Sequence, residues 1–393
     1  MAEHSKIEWT DATWNIITGC TLVDEGCRHC YAAHLITSWP AIGNHPSRKG
    51  LARKNAAGES KFTGEVRFNE QWLDEPLRWK KPRKIFVCAH GDLFHENVPD
   101  EWIDKVFAVM ALAPQHTFQV LTKRPERARA YLSGGSVRRI VGIYADRLEA
   151  RAKGEVRTID AFDIACDKVG LVQEFPDADI VPRLLDRGLK AGWPLPNVWL
   201  GTSISDQASA DLRIPHLLAC PAAVRFISAE PLLGPVDLRR LTKQVGGHQE
   251  WMDALTGETV FSQTGCVVSE TAPLDWIICG GESGPHARPM HPDWARSLRD
   301  QCAAAGVAFL FKQVGEWTAW EEAGSIPYWR NSFTGAEEDH HILFPRDWDN
   351  APNWDDGLNY LDQGRHVAFN RVGKARAGRL LDGVEHNGFP RVM

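Results

Sequence analysis

Lys84-Ile-Phe-Val-Cys88-Ala-His90-Gly-Asp92-Leu-Phe-His95-Glu96 is a short apolar run that ends in a cluster of polar and ionisable residues. A helix follows: Pro99 suits its first turn, Asp100 and Glu101 complement its dipole, and Ile103, Val106, Phe107 and Met110 share a face. Thr117-Phe-Gln-Val-Leu121 repeats the pattern, ending in Thr122-Lys123-Arg124-Pro125 before a helix through Tyr131. The same strand and polar end recur at Asn197–Gly201 with Thr202-Ser203, and at Val224–Ser228 with Ala229-Glu230-Pro231. They recur again at Asp275–Cys279 with Gly280-Gly281-Glu282, and at Val307–Phe311 with Lys312-Gln313. A first strand is expected at Trp14–Thr18, followed by a helix from Tyr31 to Trp39 that Pro40 stops. Pro292 opens a further helix and Gly306 stops it. Seven apolar strands alternating with helices predict an α/β fold with a parallel sheet curled into a partial or complete (β/α) barrel; a doubly wound open sheet is the competing topology. Strands covered by helices are apolar on both faces, as these are.

The rhythm breaks in two places, predicting insertions at about 133–196 and 240–272, the second a hairpin or loop. Residues 41–64 have loop composition and read as a lid or a plain surface excursion. Residues 1–316 therefore form the barrel, and 317–393, rich in Trp, Asp and Gly, a C-terminal appendage.

Thr18-Gly-Cys20-Thr-Leu-Val-Asp-Glu-Gly-Cys27-Arg-His-Cys30-Tyr31 places three cysteines at C-x6-C-x2-C, with Gly19 and Gly26 to fold the backbone tightly. Cys20, Cys27 and Cys30 suit an iron–sulfur site with one iron open to a cofactor. A zinc site completed by His29 or His34, or thiols with no common partner, are the alternatives. If the strand ends share one mouth, Asp92, His95, Lys123, Ser203, Glu230, Gly280-Gly281-Glu282 and Lys312 converge with the cysteines. Asp92, Lys123 and Glu230 are the catalytic candidates, and Ser203, Gly280, Gly281 and Glu282 the cofactor-binding ones. For each, the ordinary reading is a cap or a salt-bridge partner. Cys88 and Cys279 read as small buried apolar residues. No Walker or Gly-x-Gly-x-x-Gly sequence is present, which disfavours an ordinary nucleotide-binding fold. Near the C-terminus, Arg371, Lys374, Arg376 and Arg379 form a basic run that suits either a solvated helix face or contact with a phosphate backbone.

Of the 393 residues, 43% are hydrophobic and 24% charged, a globular composition with a net charge of −6. No global basic field exists, so any nucleic-acid contact must be a local patch. Nine cysteines, with a tight trio at the front, are unlike a secreted disulfide framework. No signal peptide or spanning segment is visible, and a reducing cytoplasm is the expected setting.

Several blocks resemble a phage and prophage protein family related to the radical S-adenosylmethionine (SAM) superfamily. They are Lys6–Asn15, Gly19–Ala32, Asp92–Glu96, Leu121–Pro125, Glu230–Gly234, Gly280–Gly284 and Gly378–Gly383. The resemblance implies a radical-SAM-type barrel in which Cys20, Cys27 and Cys30 hold a [4Fe–4S] cluster and the fourth iron chelates SAM. It further implies a 5′-deoxyadenosyl radical and an electron donor such as flavodoxin or ferredoxin. The superfamily's usual spacing is C-x3-C-x2-C with an aromatic before the last cysteine; here the first gap is six and His29 takes that place. Its Gly-Gly-Glu segment follows the second strand, but here the sixth, so a residue near Asp92 is an alternative ligand for the SAM ammonium. The expected function is an isomerase step in hypermodification of thymine bases in phage DNA. One example is conversion of an N-linked to a C-linked glycyl substituent, shielding the DNA from host nucleases. A free nucleotide, tRNA or peptide substrate, and a non-enzymatic zinc-stabilised binding protein, are the rivals.

Overall fold

A computed structural model describes residues 4–133, 194–245, 248–319, 341–345 and 366–390. The expected insertion at 133–196 lies almost wholly outside them. Seven strands form one sheet: β1 (Ala12–Trp14), β2 (Lys84–Val87), β3 (Thr117–Thr122), β4 (Val198–Ile204), β5 (Val224–Ala229), β6 (Trp276–Gly280) and β7 (Ala308–Gln313). They lie side by side in chain order and every pairing is parallel. A doubly wound sheet would reverse that order, so this alternative is excluded.

The sheet is strongly curled. A flat sheet would separate β2 from β6 by about 19 Å. Yet the Trp9 ring lies 4.7 Å from Phe86 of β2, 6.3 Å from Phe226 of β5 and 6.3 Å from Trp276 of β6. The sheet wraps around this indole as an open half-barrel. Trp9, Phe86, Trp199, Phe226, Trp276, Ile278 and Leu310 fill the concave side. Helix α1 (Tyr31–Ser38) follows the cysteine loop, and the convex side packs against α2 (Asp100–Leu112), α3 (Pro125–Ser133), α4 (Gln207–Leu218) and α5 (Pro292–Ala305). Their ends follow local rules. Asp206 and Ser209 make a capping box for α4, and α5 has Pro292 at its start and Gly306 in the left-handed conformation (φ 71°) at its end.

The open edge of β7 is covered by the C-terminal tail, through Phe311 N–H to His386 O and Gly388 N–H to Phe309 O. Phe389 then lies 4.9 Å from the Trp276 ring and under the Lys84 ammonium at 4.0 Å.

Two expectations are revised. The first strand is Ala12–Trp14; Ile17–Thr18 leaves the sheet and pairs antiparallel with Arg67–Phe68. The Asn69 amide causes this departure by donating to Asn15 O and Thr18 Oγ1. The stretch 41–64 contains a hairpin, Ala52–Lys54 with Ser60–Phe62, which neighbours α1. After β5 a four-stranded antiparallel meander, Leu241–Val245, His248–Met252, Glu258–Phe261 and Val267–Glu270, replaces a helix, in keeping with the expected hairpin. Of the appendage, Trp317–Ala319, His341–Pro345 and His366–Arg371 form an antiparallel sheet, tied to the barrel by Trp317 Nε1–H to Ala287 O at 2.6 Å. Among the described residues no helix is long and apolar enough to cross a membrane.

Gly201 faces the Phe226 ring, and a Cβ there would meet ring carbons at 2.5 Å. Because that ring is fixed between Trp9 and Trp276, Gly201→Ala should destabilise the fold by about 1–3 kcal/mol in denaturant unfolding. The double variant with Phe226→Leu should lose less than the two single variants added together.

Candidate functional site

Side chains alternate along a strand, so each concave row runs from aromatic floor to polar rim. Trp199 and Ser203 share one row, Phe226, Ser228 and Glu230 a second, Leu310 and Lys312 a third, and Leu121 and Lys123 a fourth. These rows deliver Lys123, Ser203, Ser228, Glu230 and Lys312 to a cavity of about 330 Å³ above Trp9 and Phe86. The cysteine loop covers the cavity, with Gly26, Cys27, His29, Cys30 and Tyr31 in its lining.

The loop is held by buried cations. Asp24 pairs with Lys123 at 2.8 Å and with Arg213 at 2.6 Å. Burial alone would push the Asp24 carboxyl up, but these cations bring it down to about 2. Arg288 donates to the Glu25 carbonyl at 2.9 Å and pairs with its carboxylate at 3.2 Å. The same guanidinium holds Glu282 through Nε at 2.9 Å and Nη2 at 2.8 Å, and its backbone amide adds a bond at 2.8 Å. Burial would raise the Glu282 carboxyl, but His29 at 3.3 Å and Arg288 hold it below the ordinary carboxylate range. Gly26 is required for space, since a Cβ there would meet Ser205 Oγ at 2.1 Å.

The three thiols sense one another. Burial and the Asp92 carboxylate push Cys20 up to about 12, with Cys30 adding to the shift and Arg124 opposing it. Arg124 Nη1 lies 3.7 Å from Cys20 Sγ. Burial also raises Cys30, the N-cap of α1, and Cys27 adds repulsion. A cation bound here would reverse this logic, because metal charge favours the thiolate. Among the described residues, no three His, Cys, Asp or Glu side chains are grouped as a ready site for a single metal ion.

The other expected site residues divide into two groups. Glu230 faces the cavity in an ion pair with Lys312 (2.6 and 2.8 Å) and accepts from Gln313 Nε2 at 2.9 Å. Ser203, Gly281 and Glu282 line the cavity, as does Lys374 from the basic run. Asp92 does not line it. Its carboxylate accepts from Phe94 N, Thr122 Oγ1, Lys123 N and Arg124 Nη1, and so ties β2 to β3. His95 is fully buried, with Nε2 3.1 Å from Thr21 Oγ1 on the cysteine loop. Gly281 serves the fold, because a Cβ would sit 1.9 Å from Val314 O, while Gly280 has ordinary room. Cys88 and Cys279 are buried apolar fillers. Arg371 donates to Gly284 O and Pro285 O, Arg379 to Asn387, and Arg376 is exposed. Nothing local in the sequence marks Asp24, Arg213 or Arg288, whose partners are distant along the chain.

The family model described as a protein of unknown function (DUF5131) matches residues 4–390. No curated protein and no solved structure matches the chain.

Arg288→Ala should leave Glu282, 6% exposed, without its counter-charge. A loss of about 3–5 kcal/mol is expected in unfolding experiments, with faster alkylation of Cys27 in metal-free protein. Asp24 has a lowered folded-state pKa, so its contribution is present above its ordinary value near 4 and lost as pH falls through about 2. The stability gap between wild type and Asp24→Asn should therefore be on the order of 2 kcal/mol at pH 6 and shrink between pH 4 and 2.

Proposed function

For this chain, which belongs to the DUF5131 family, we propose a radical SAM enzyme that rearranges a substituent on thymine in phage DNA. The observation that carries the proposal is a loop bearing three cysteines, two of which, Cys27 and Cys30, line a polar-rimmed cavity at the C-terminal ends of a half-barrel's strands. Cys20, Cys27 and Cys30 would hold a [4Fe–4S] cluster, and the fourth iron would take the amino and carboxylate groups of SAM. When bound, this pair supplies one electron to cleave the sulfonium bond and thereby a carbon radical that abstracts hydrogen from the substrate.

The chain's own residues orient the substrate and exclude water. Trp9, Phe86 and Leu121 give the cavity an apolar floor. Two buried polar atoms of cavity-lining residues, Trp9 Nε1–H and Gln313 Oε1, have no partner among the described residues. One is a donor and the other an acceptor, which supports a heteroaromatic ligand with both kinds of group on its edge. The Glu230–Lys312 pair keeps a carboxylate and an ammonium at the wall, able to bond to a polar substituent without leaving either charge unpaired. Lys374 brings the basic run to the cavity lining, which supports a phosphorylated substrate.

Anaerobic reconstitution should give brown protein with about four irons per chain and release 5′-deoxyadenosine from SAM. Cys27→Ala should lose both properties. Stoichiometric zinc without SAM cleavage would overturn the enzymatic reading. Nucleoside analysis of phage DNA with and without the gene should differ in a thymidine derivative, and identical profiles would remove DNA as the substrate.

A further inference from the structure

A second depression of about 430 Å³ lies on the outer side of the cysteine loop. It shares His29, Cys30, Tyr31 and Ser283 with the cavity, so the two adjoin at these residues. One wall is the hairpin Ala52–Lys54 with Ser60–Phe62, and the other is the turn Ser283–His286, to which Arg371 is bonded.

The hairpin wall belongs to a basic lobe. Residues 48–67 hold six basic side chains against two acidic ones, a net charge of +4 in a chain whose total is −6. Lys49, Arg53 and Lys54 of this lobe are exposed. Arg53 stands directly across from Lys61, a like-charge pairing that costs stability unless an anion lies nearby. Of the groove's lining residues, Glu59 alone is a carboxylate, shared by Arg28 (3.5 Å), Lys61 (3.4 Å) and His29 (4.0 Å), with Arg28 also 3.7 Å from Glu25 beyond the lining. The wall therefore keeps an excess of positive charge. Tyr31, where groove meets cavity, has its hydroxyl tethered to Ala89 O at 2.6 Å while its residue remains 48% exposed. A fixed, exposed aromatic ring beside a cationic groove is the arrangement used to stack bases of single-stranded nucleic acid.

We propose that this groove holds the sugar–phosphate backbone of one DNA strand while a base of that strand, turned out past Tyr31, occupies the cavity. The inference rests on the nucleic-acid reading above and adds the path the strand follows. Extruding a base is the ordinary solution when chemistry must reach an atom inside a duplex. It requires the backbone to be gripped beside the entrance, and the hairpin lobe stands there.

The test is fluorescence anisotropy of the full chain with a labelled oligothymidylate between 50 and 200 mM salt. Neutralising one phosphate contact on a single strand should reduce the salt slope by about 0.7 and, at 0.1 M salt, weaken binding about fivefold. Lys54→Gln should do this, and Lys54→Gln with Arg28→Gln should do about twice as much on both logarithmic scales. Glu59→Gln, which removes the groove's carboxylate, should tighten binding, a gain that misfolding cannot imitate. If wild type binds and all three variants match it, the groove is not the path, although the nucleic-acid reading stands. Absence of binding by wild type at 50 mM salt would sink both, and tighter binding of the matching RNA would overturn the choice of DNA.

Discussion

Arg288 is the hinge-pin of the site. It is buried, carries a full charge, and bridges the end of β6 to the cysteine loop by holding Glu282 and Glu25 together. A buried guanidinium is tolerable only when its donors are met, and here two carboxylates and a carbonyl meet them. Asp24, clasped by Lys123 and Arg213, repeats the device from β3 and α4. The loop bearing the three thiols thus owes its position to charges supplied by three separate parts of the sheet and its helices. Every feature of the cavity beneath depends on where that loop sits.

This accounts for the fate of the strand-end carboxylates. Asp92 and Glu282 are consumed in holding the loop and the strands that support it. Glu230 differs because its partner, Lys312, reaches it from β7, past Gly280 of the intervening β6, so the pair remains at the cavity wall. Asp92 and Glu282 therefore build the site, Glu282 while also lining the cavity, and Glu230 faces what enters it.

The barrel strands were legible because each is buried on both faces and ends abruptly in polar residues. Ile85–Val87 and Ile277–Cys279 are examples whose burial is complete or nearly so. The first strand was misjudged because Ile16 and Ile17 are as apolar as a strand requires, yet Asn69, some fifty residues on, captures their backbone. The hairpin at 52–62 was missed because its short strands lack apolar alternation. The cations gripping the loop left no trace in the sequence, since an ion pair between Glu25 and Arg288 is decided by three-dimensional proximity alone.

The tail at the foot of the half-barrel has a mechanical consequence. Residues 386–389 bond to β7, while Phe389 packs against Trp276 and lies under Lys84 of β2. The tail thereby acts as a bowstring across an arc that does not close on itself. It spans the N-terminal ends of the strands, opposite the mouth, so the arc is braced at its base. At the other end the pairs Lys312–Glu230 and Arg288–Glu282 tie the strand tips, so an incomplete barrel is held at both ends without closing on itself.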